Sequence, residues 1–143
     1  AVFENGRGFS VTDLSVPQGV VRRNSLDYIL SVEFPLPGDT RLNVQGFQRA
    51  YFGGGGSDIV IKSDGFGASV FLSTKLTDAI EPQILWIQNF KDAGGMIRPR
   101  VNWYPAKNTA LGFGVDVFIG PSDGYFGRYN NRDRAYAELR YDF

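Results

Sequence analysis

Cysteine and histidine are both absent from these 143 residues. Their absence excludes disulfides, thiol chemistry, the usual zinc sites and every catalytic triad that uses histidine. Basic and acidic residues balance at 15 each, so nothing in the charge indicates a nucleic-acid partner. No apolar run approaches the ~18 residues of a membrane-spanning helix. Because no nucleophile has a recognisable base and no carboxylates are suitably paired, we predict no enzyme, no cofactor and no metal site.

Glycine and aromatic residues are abundant, with 18 glycines and 15% Phe, Trp and Tyr. Apolar and polar residues alternate along most of the chain, which is the period of a β-strand. In Ser25–Leu36, for example, Leu26 and Leu30 share one face while Asp27 and Glu33 lie on the other. The sequence predicts an all-β fold with about seven antiparallel strands of roughly ten residues, a length that crosses a bilayer when tilted. The last predicted strand is 134–143.

Three features distinguish a membrane barrel from a soluble β-sandwich, in which residues also alternate. Every charged side chain in the predicted strands lies opposite the large apolar residues. Short turns at 37–39, 77–80 and 105–108 alternate with long links at 53–64 and 120–133, as in barrels whose long loops face outward. Aromatic residues collect near the strand ends, where a membrane has its interfaces. Together these features predict an antiparallel up-and-down transmembrane β-barrel.

The closing segment RAYAELRYDF has apolar residues at every second position and ends on an aromatic residue. It resembles the C-terminal signature of bacterial outer-membrane β-barrels, carried here by Ala137, Leu139, Tyr141 and Phe143. The longer run FGRYNNRDRAYAELRYDF, residues 126–143, is similar to the end of the DUF1302 group of proteobacterial outer-membrane proteins. The resemblance implies a location in the outer membrane of a Gram-negative bacterium. It also implies that Leu139, Tyr141 and Phe143 form a signal read by the barrel assembly machinery.

The polar face of the predicted strands would line the lumen of such a barrel. The side chains expected there are Arg41, Arg49, Lys75, Arg98, Arg100, Asp116, Glu138 and Arg140. Arg98 and Arg100 either line a pore and attract anions, or pair with interior acids such as Asp116. Six apolar residues are predicted on the same face: Ile29, Phe47, Phe71, Leu85, Ile87 and Phe118.

The N-terminal residues 1–24 are expected to form an extracellular loop, with residues 1–143 being one barrel domain or the C-terminal portion of one. An odd number of strands would place the chain ends on opposite sides of the membrane, whereas bacterial single-chain barrels have even numbers. We therefore expect missing N-terminal strands, or another chain, to close the barrel. The alternative is a closed eight-stranded barrel that uses Arg7–Val16 as its first strand.

The predicted function is that of a channel-like or porin-like wall with a mixed-charge lumen. Its predicted partners are the lipid bilayer and lipopolysaccharide. The loop residues 130–133 would touch the lipopolysaccharide. One alternative is a non-conducting structural barrel whose loops bind partners. Another is a soluble β-barrel that binds a small apolar ligand.

Overall fold

The computed structural model describes residues 1–11, 17–52 and 65–143. In this part of the chain, residues 17–19 and 127–129 form single 3₁₀ turns, and no helix is long and apolar enough to cross a membrane. The remaining regular structure is a set of eight β-strands. They are β1 (Val2–Ser10), β2 (Val20–Leu36), β3 (Thr40–Phe52), β4 (Gly65–Thr74), β5 (Ile80–Asn89), β6 (Gly95–Ala106), β7 (Thr109–Ile119) and β8 (Arg134–Tyr141).

All eight strands form one sheet in the order in which they follow along the chain, and each pair of neighbours is antiparallel. The prediction of an all-β, up-and-down antiparallel sheet is therefore confirmed. Within the described residues β1 and β8 do not pair with each other, so the sheet has two free edges. The expectation that the chain does not close on itself is confirmed, and the closed eight-stranded alternative is wrong.

The N-terminal stretch differs from the sequence prediction. Residues 1–24, expected to be a loop, contain β1 and the beginning of β2. The alternation is hidden by a β-bulge between Glu4 and Arg7, where the register shifts and Gly6 has a φ of +67°. The backbone N–H of Gly6 donates to Asn24 Oδ1 over 2.9 Å, which stabilises the bulge. The strand count is thus eight rather than about seven, and the odd-number argument does not apply.

The described connections at one end of the sheet are all five residues or fewer, whereas those at the other end include one of five and one of fourteen. At the end that we call the short-turn end, β2–β3, β4–β5 and β6–β7 are joined by residues 37–39, 75–79 and 107–108. At the opposite, long-link end, residues 90–94 join β5 to β6 and residues 120–133 join β7 to β8. The predicted link 53–64 lies outside the described residues.

The strand register assigns the side chains to two faces. On the polar face Asp27 pairs across to Arg49, and Asp116 to Arg134. On the apolar face one row runs across six strands, through Val32, Val44, Val70, Trp86, Ile97 and Val117. The predicted separation of charge from large apolar residues is therefore present in the fold. Arg22 departs from it, because it lies on the apolar side near the long-link end of β2.

Candidate functional site

The burial pattern is the reverse of that of a water-soluble core. Among the described residues, the buried polar side chains are Arg23, Ser25, Ser69, Ser73, Asn89 and Asp116, whereas the buried apolar ones are Val11 and Met96. Large apolar side chains on the other face are exposed, including Leu30, Val32 and Leu139. A soluble domain buries its apolar face instead. The polar face is therefore the inner face of this sheet and the candidate functional surface.

Asp116 lies at the centre of an ion-pair cluster on the inner face. Its side chain is 0% exposed, and its two oxygens accept from Arg98 Nε at 2.5 Å and from Arg134 Nε at 2.6 Å. Arg98 Nη2 adds a third bond of 3.2 Å. Since β6, β7 and β8 are neighbours, the cluster joins three strands. Sequence reasoning found Arg98 and Asp116, but it missed Arg134 as the second partner.

Arg100 reaches across β7 to form a second ion pair. Its Nη2 lies 3.0 Å from Glu138 Oε2 on β8, and its Nε donates to Asn102 Oδ1 over 2.7 Å. Gly112 allows this crossing, because a Cβ there would lie 2.6 Å from Arg100 Nη2. At Gly114 a Cβ would meet the Tyr136 ring in the same way, at 2.5 Å. The alternating glycines of LGFGVD were the sequence signal for these crossings.

The other predicted lumen residues lie in different surroundings. Arg49 forms a two-bond pair with Asp27, at 2.6 and 2.7 Å. Arg140 pairs with Asp142 at the exposed edge strand, with 3.0 Å between Nε and Oδ1. Lys75 follows β4 and is exposed at the short-turn end. Arg41 is exposed on the inner face opposite Ser73, and no ion pair links it to another described residue.

The 120–133 link folds over the long-link end of the sheet. Asp92, in the 90–94 link, accepts from the backbone N–H of Tyr125 at 2.7 Å and of Gly94 at 3.0 Å. Asp133 accepts from the backbone N–H of Phe118 at 2.9 Å, which attaches the other end of the link to β7. The two links are thus joined through a carboxylate that sequence reasoning did not select.

Among the residues that the structure describes, the inner face borders two open cavities. One, of about 430 Å³, is lined by residues of β1 to β5 and by Tyr125 and Phe126 from the 120–133 link. The other, of about 420 Å³, lies nearer the short-turn end against Glu33, Phe71 and Leu85. Because side chains from so many strands meet at one cavity, the sheet curls toward its polar face. In the described part of the chain, no cluster of three or more acidic residues could hold a metal ion.

No family model, curated protein or solved structure matches this chain.

Proposed function

We propose that the chain forms part of the wall of a transmembrane β-barrel in the outer membrane of a Gram-negative bacterium, with the polar face lining a channel-like lumen. The observation that carries the proposal is the reversed burial. Val32 is 55% exposed, while Asp116 on the other face is fully buried. A lipid-facing surface must be apolar, because a Lys or Arg at the bilayer midplane costs ~2–4 kcal/mol.

The geometry of the apolar face also supports a membrane setting. Apart from Arg22, no charged side chain of the strands β2 to β7 lies on this face, and apolar rows continue from strand to strand, as in the row Phe34, Leu42, Leu72, Ile84. Aromatic rings lie near both ends of the sheet. Tyr141 contacts Phe143 at the short-turn end, with ring centroids 5.2 Å apart, and Phe66 contacts Phe90 at the other end, at 5.6 Å. Aromatic girdles of this kind flank the apolar band of membrane barrels.

The closing strand supports the same location. Leu139 and Tyr141 are exposed on the apolar side of the edge strand β8, so these residues are accessible to an assembly factor. Their resemblance to the outer-membrane signature, and that of residues 126–143 to the DUF1302 group, suggests recognition by the barrel assembly machinery. Phe143 belongs to the same proposed signal.

The two free edges require a partner if the sheet lies in lipid. Each unpaired backbone N–H or C=O in hydrocarbon costs several kcal/mol, so an open edge does not persist there. We propose that β1 and β8 pair with further strands, either of a longer protein or of another chain. The proposed partners also include lipid and lipopolysaccharide.

The test compares lysine at two adjacent positions of β2. Val32→Lys places a charge on the apolar face, and Ser31→Lys places it on the inner face opposite Gln45. In water both exposed positions would tolerate lysine within ~0.5 kcal/mol. In a bilayer, with the strands that complete the barrel present, we expect Val32→Lys to lose ~2–4 kcal/mol and to fail in insertion into lipid vesicles, whereas Ser31→Lys inserts. Equal insertion of the two variants would overturn the proposal.

The control position must accommodate a long side chain, which Ser31 does and Gly114, on the same face, does not. The Tyr136 ring fills the space beside Gly114, so a large residue there would fail for steric reasons. Ser31 is exposed, and its hydroxyl bonds to the exposed Asn43 side chain, accepting from Nδ2 at 3.0 Å and donating to Oδ1 at 3.3 Å. Replacing it therefore changes little apart from the charge on the inner face.

A non-conducting structural barrel is the second candidate. It is favoured by the ion pairs of Asp116 and Glu138 and by the 120–133 link, which occupy part of the inner face. Conductance in a planar bilayer separates the two candidates, since the channel passes ions and the structural barrel does not. A soluble ligand-binding barrel, the third candidate, would remain monodisperse without detergent.

A further inference from the structure

The inner face carries an apolar stripe that a lumen for small ions does not need. On one row Ile29 pairs with Phe47, and Ile29 is 62% exposed. The next row is two residues closer to the short-turn end, and on it Ile87 lies opposite Ser69. Phe71 pairs with Leu85 on the row after that. Rows on one face are ~7 Å apart, so these side chains form successive apolar steps along the inner face.

The larger cavity lies at the long-link end of this stripe. Its apolar wall includes Ile29, Phe47 and Phe126, the last of which comes from the 120–133 link. Its volume of about 430 Å³ is within the ~300–1,000 Å³ range of pockets that bind small molecules. The second cavity, with Phe71 and Leu85 in its wall, lies further along the same stripe.

The polar groups of the larger cavity restrict the charge of its ligand. Asp27 and Arg49 both line it and bond to each other through two contacts, so together they carry no net charge. Asn89 adds a neutral amide, whose Oδ1 accepts from the backbone N–H of Lys91 at 2.9 Å. A charged ligand would have to break the Asp27–Arg49 pair or remain unpaired beside it, whereas an uncharged ligand leaves the pair intact.

The geometry points to a binding site for an uncharged amphipathic small molecule, with an apolar ring-sized body and one hydrogen-bonding group. The apolar body lies against Ile29, Phe47 and Phe126, and the polar group bonds to the Asp27–Arg49 pair or to Asn89. The apolar stripe then leads the molecule toward the second cavity. This inference rests on the proposed function in that it names the solute class of the proposed lumen.

The test uses the full chain folded in detergent, with 4-fluorobenzyl alcohol as the probe and ¹⁹F NMR as the readout. The probe also partitions into the micelles themselves, but this partition does not saturate. It is measured separately on micelles without protein and subtracted. We expect a saturable shift for the alcohol and weaker binding of 4-fluorobenzoate and of 4-fluorobenzylamine in its ammonium form. Absence of saturable binding, or tighter binding of either charged probe, would overturn the inference.

Two variants locate the binding. Ile29→Trp fills the cavity and is expected to weaken binding about tenfold or more. Ser31→Trp is the matched control, since Ser31 lies on the same strand and face but lines neither cavity, and it is expected to bind as the native chain does. Phe47→Ala removes a ring instead of adding one and is also expected to weaken binding, which covers the case in which Ile29→Trp does not fold. The proposed location of the site is wrong if Phe47→Ala binds the alcohol as tightly as the native chain does. It is also wrong if Ile29→Trp and Ser31→Trp weaken binding equally.

The two tests can fail separately. If Val32→Lys inserts into lipid as well as Ser31→Lys does, while the alcohol still binds in the cavity, the membrane proposal is wrong and the cavity inference stands. If the lysine variants differ as expected but no saturable binding occurs, the cavity inference is wrong and the membrane proposal stands.

Discussion

Replacing Asp116 by Asn is expected to destabilise the folded protein by about 2–4 kcal/mol. The carboxylate is fully buried and accepts three bonds from Arg98 and Arg134. Asparagine has the same shape, but it keeps one acceptor oxygen and turns an N–H₂ group toward a guanidinium. With the amide oxygen at the position of Oδ2, the bond from Arg98 Nε to Oδ1 is lost, at ~1.5–3 kcal/mol. The two bonds to Oδ2 weaken because their acceptor no longer carries a charge. The expected loss of stability is at the lower end of these values, because the side chains of Arg98 and Arg134 are 35% and 64% exposed and water can solvate their charges again.

The matched control is Asp142→Asn. Asp142 also pairs with an arginine, Arg140, but both side chains are exposed on the edge strand, at 61% and 70%. Water already solvates both charges, so we expect no measurable change in stability. The assay is urea unfolding of the full chain folded in detergent, followed by tryptophan fluorescence. Equal midpoints for Asp116→Asn and the native chain would refute the view that the cluster stabilises the contact of β6, β7 and β8.

Two further changes probe close packing and the long-link end. Gly114→Ala is expected to cost ~1–2 kcal/mol in the same unfolding assay, because its Cβ would lie 2.5 Å from the Tyr136 ring. Gly46→Ala, whose Cβ meets nothing within 4 Å, is the control and is expected to be neutral or slightly stabilising. Asp92→Ala removes the acceptor of the Tyr125 N–H, so hydrogen exchange at that amide is expected to accelerate about tenfold. Exchange at Tyr125 should stay unchanged in Asp123→Ala, and equal rates in the two variants would show that Asp92 does not hold the link.

The faces of the strands could be predicted because alternation assigns each side chain to one side of a sheet. The six apolar residues expected on the polar face, Phe47 and Ile87 among them, lie there by register. What alternation cannot give is the neighbour across the sheet. Arg100 lies directly opposite Gly114 and reaches its carboxylate partner only past Gly112, a contact that depends on register and on an absent side chain.

Local breaks in the pattern account for the remaining differences. The bulge at residues 5–6 shifts the alternation within β1, so the strand did not stand out from the sequence. Pro99 lies within β6 opposite Ile84, and no register shift flanks it. The sequence predicted a strand from Ser25, but β2 begins at Val20 and therefore includes Arg22. Continuing the alternation of β2 back to Arg22 places this residue on the apolar side.

The pairing of the arginines changes where ion selectivity would arise. Arg100 and Glu138 form a pair that contributes little net charge to a lumen, whereas Arg98 and Arg134 share Asp116, so that cluster keeps one net positive charge. The sequence had left open whether these two arginines attract anions or pair with acids, and the geometry favours pairing. Arg41 differs, because it is exposed on the inner face without an ion pair to a described residue. An unpaired cation on the wall raises the local anion concentration.

If the closed barrel conducts, Arg41→Gln is expected to shift the reversal potential toward cation selectivity in a salt gradient. The shift arises because removing an unpaired charge changes the net charge of the lumen by one unit. The control is the double variant Arg100→Gln with Glu138→Gln, which removes a pair as a unit, leaves the net charge as it was and is expected to leave the potential unchanged. The shift in Arg41→Gln should shrink as salt rises, since screening shortens the reach of the charge. A larger shift in the double variant than in Arg41→Gln would show that the paired arginine, not Arg41, sets the selectivity.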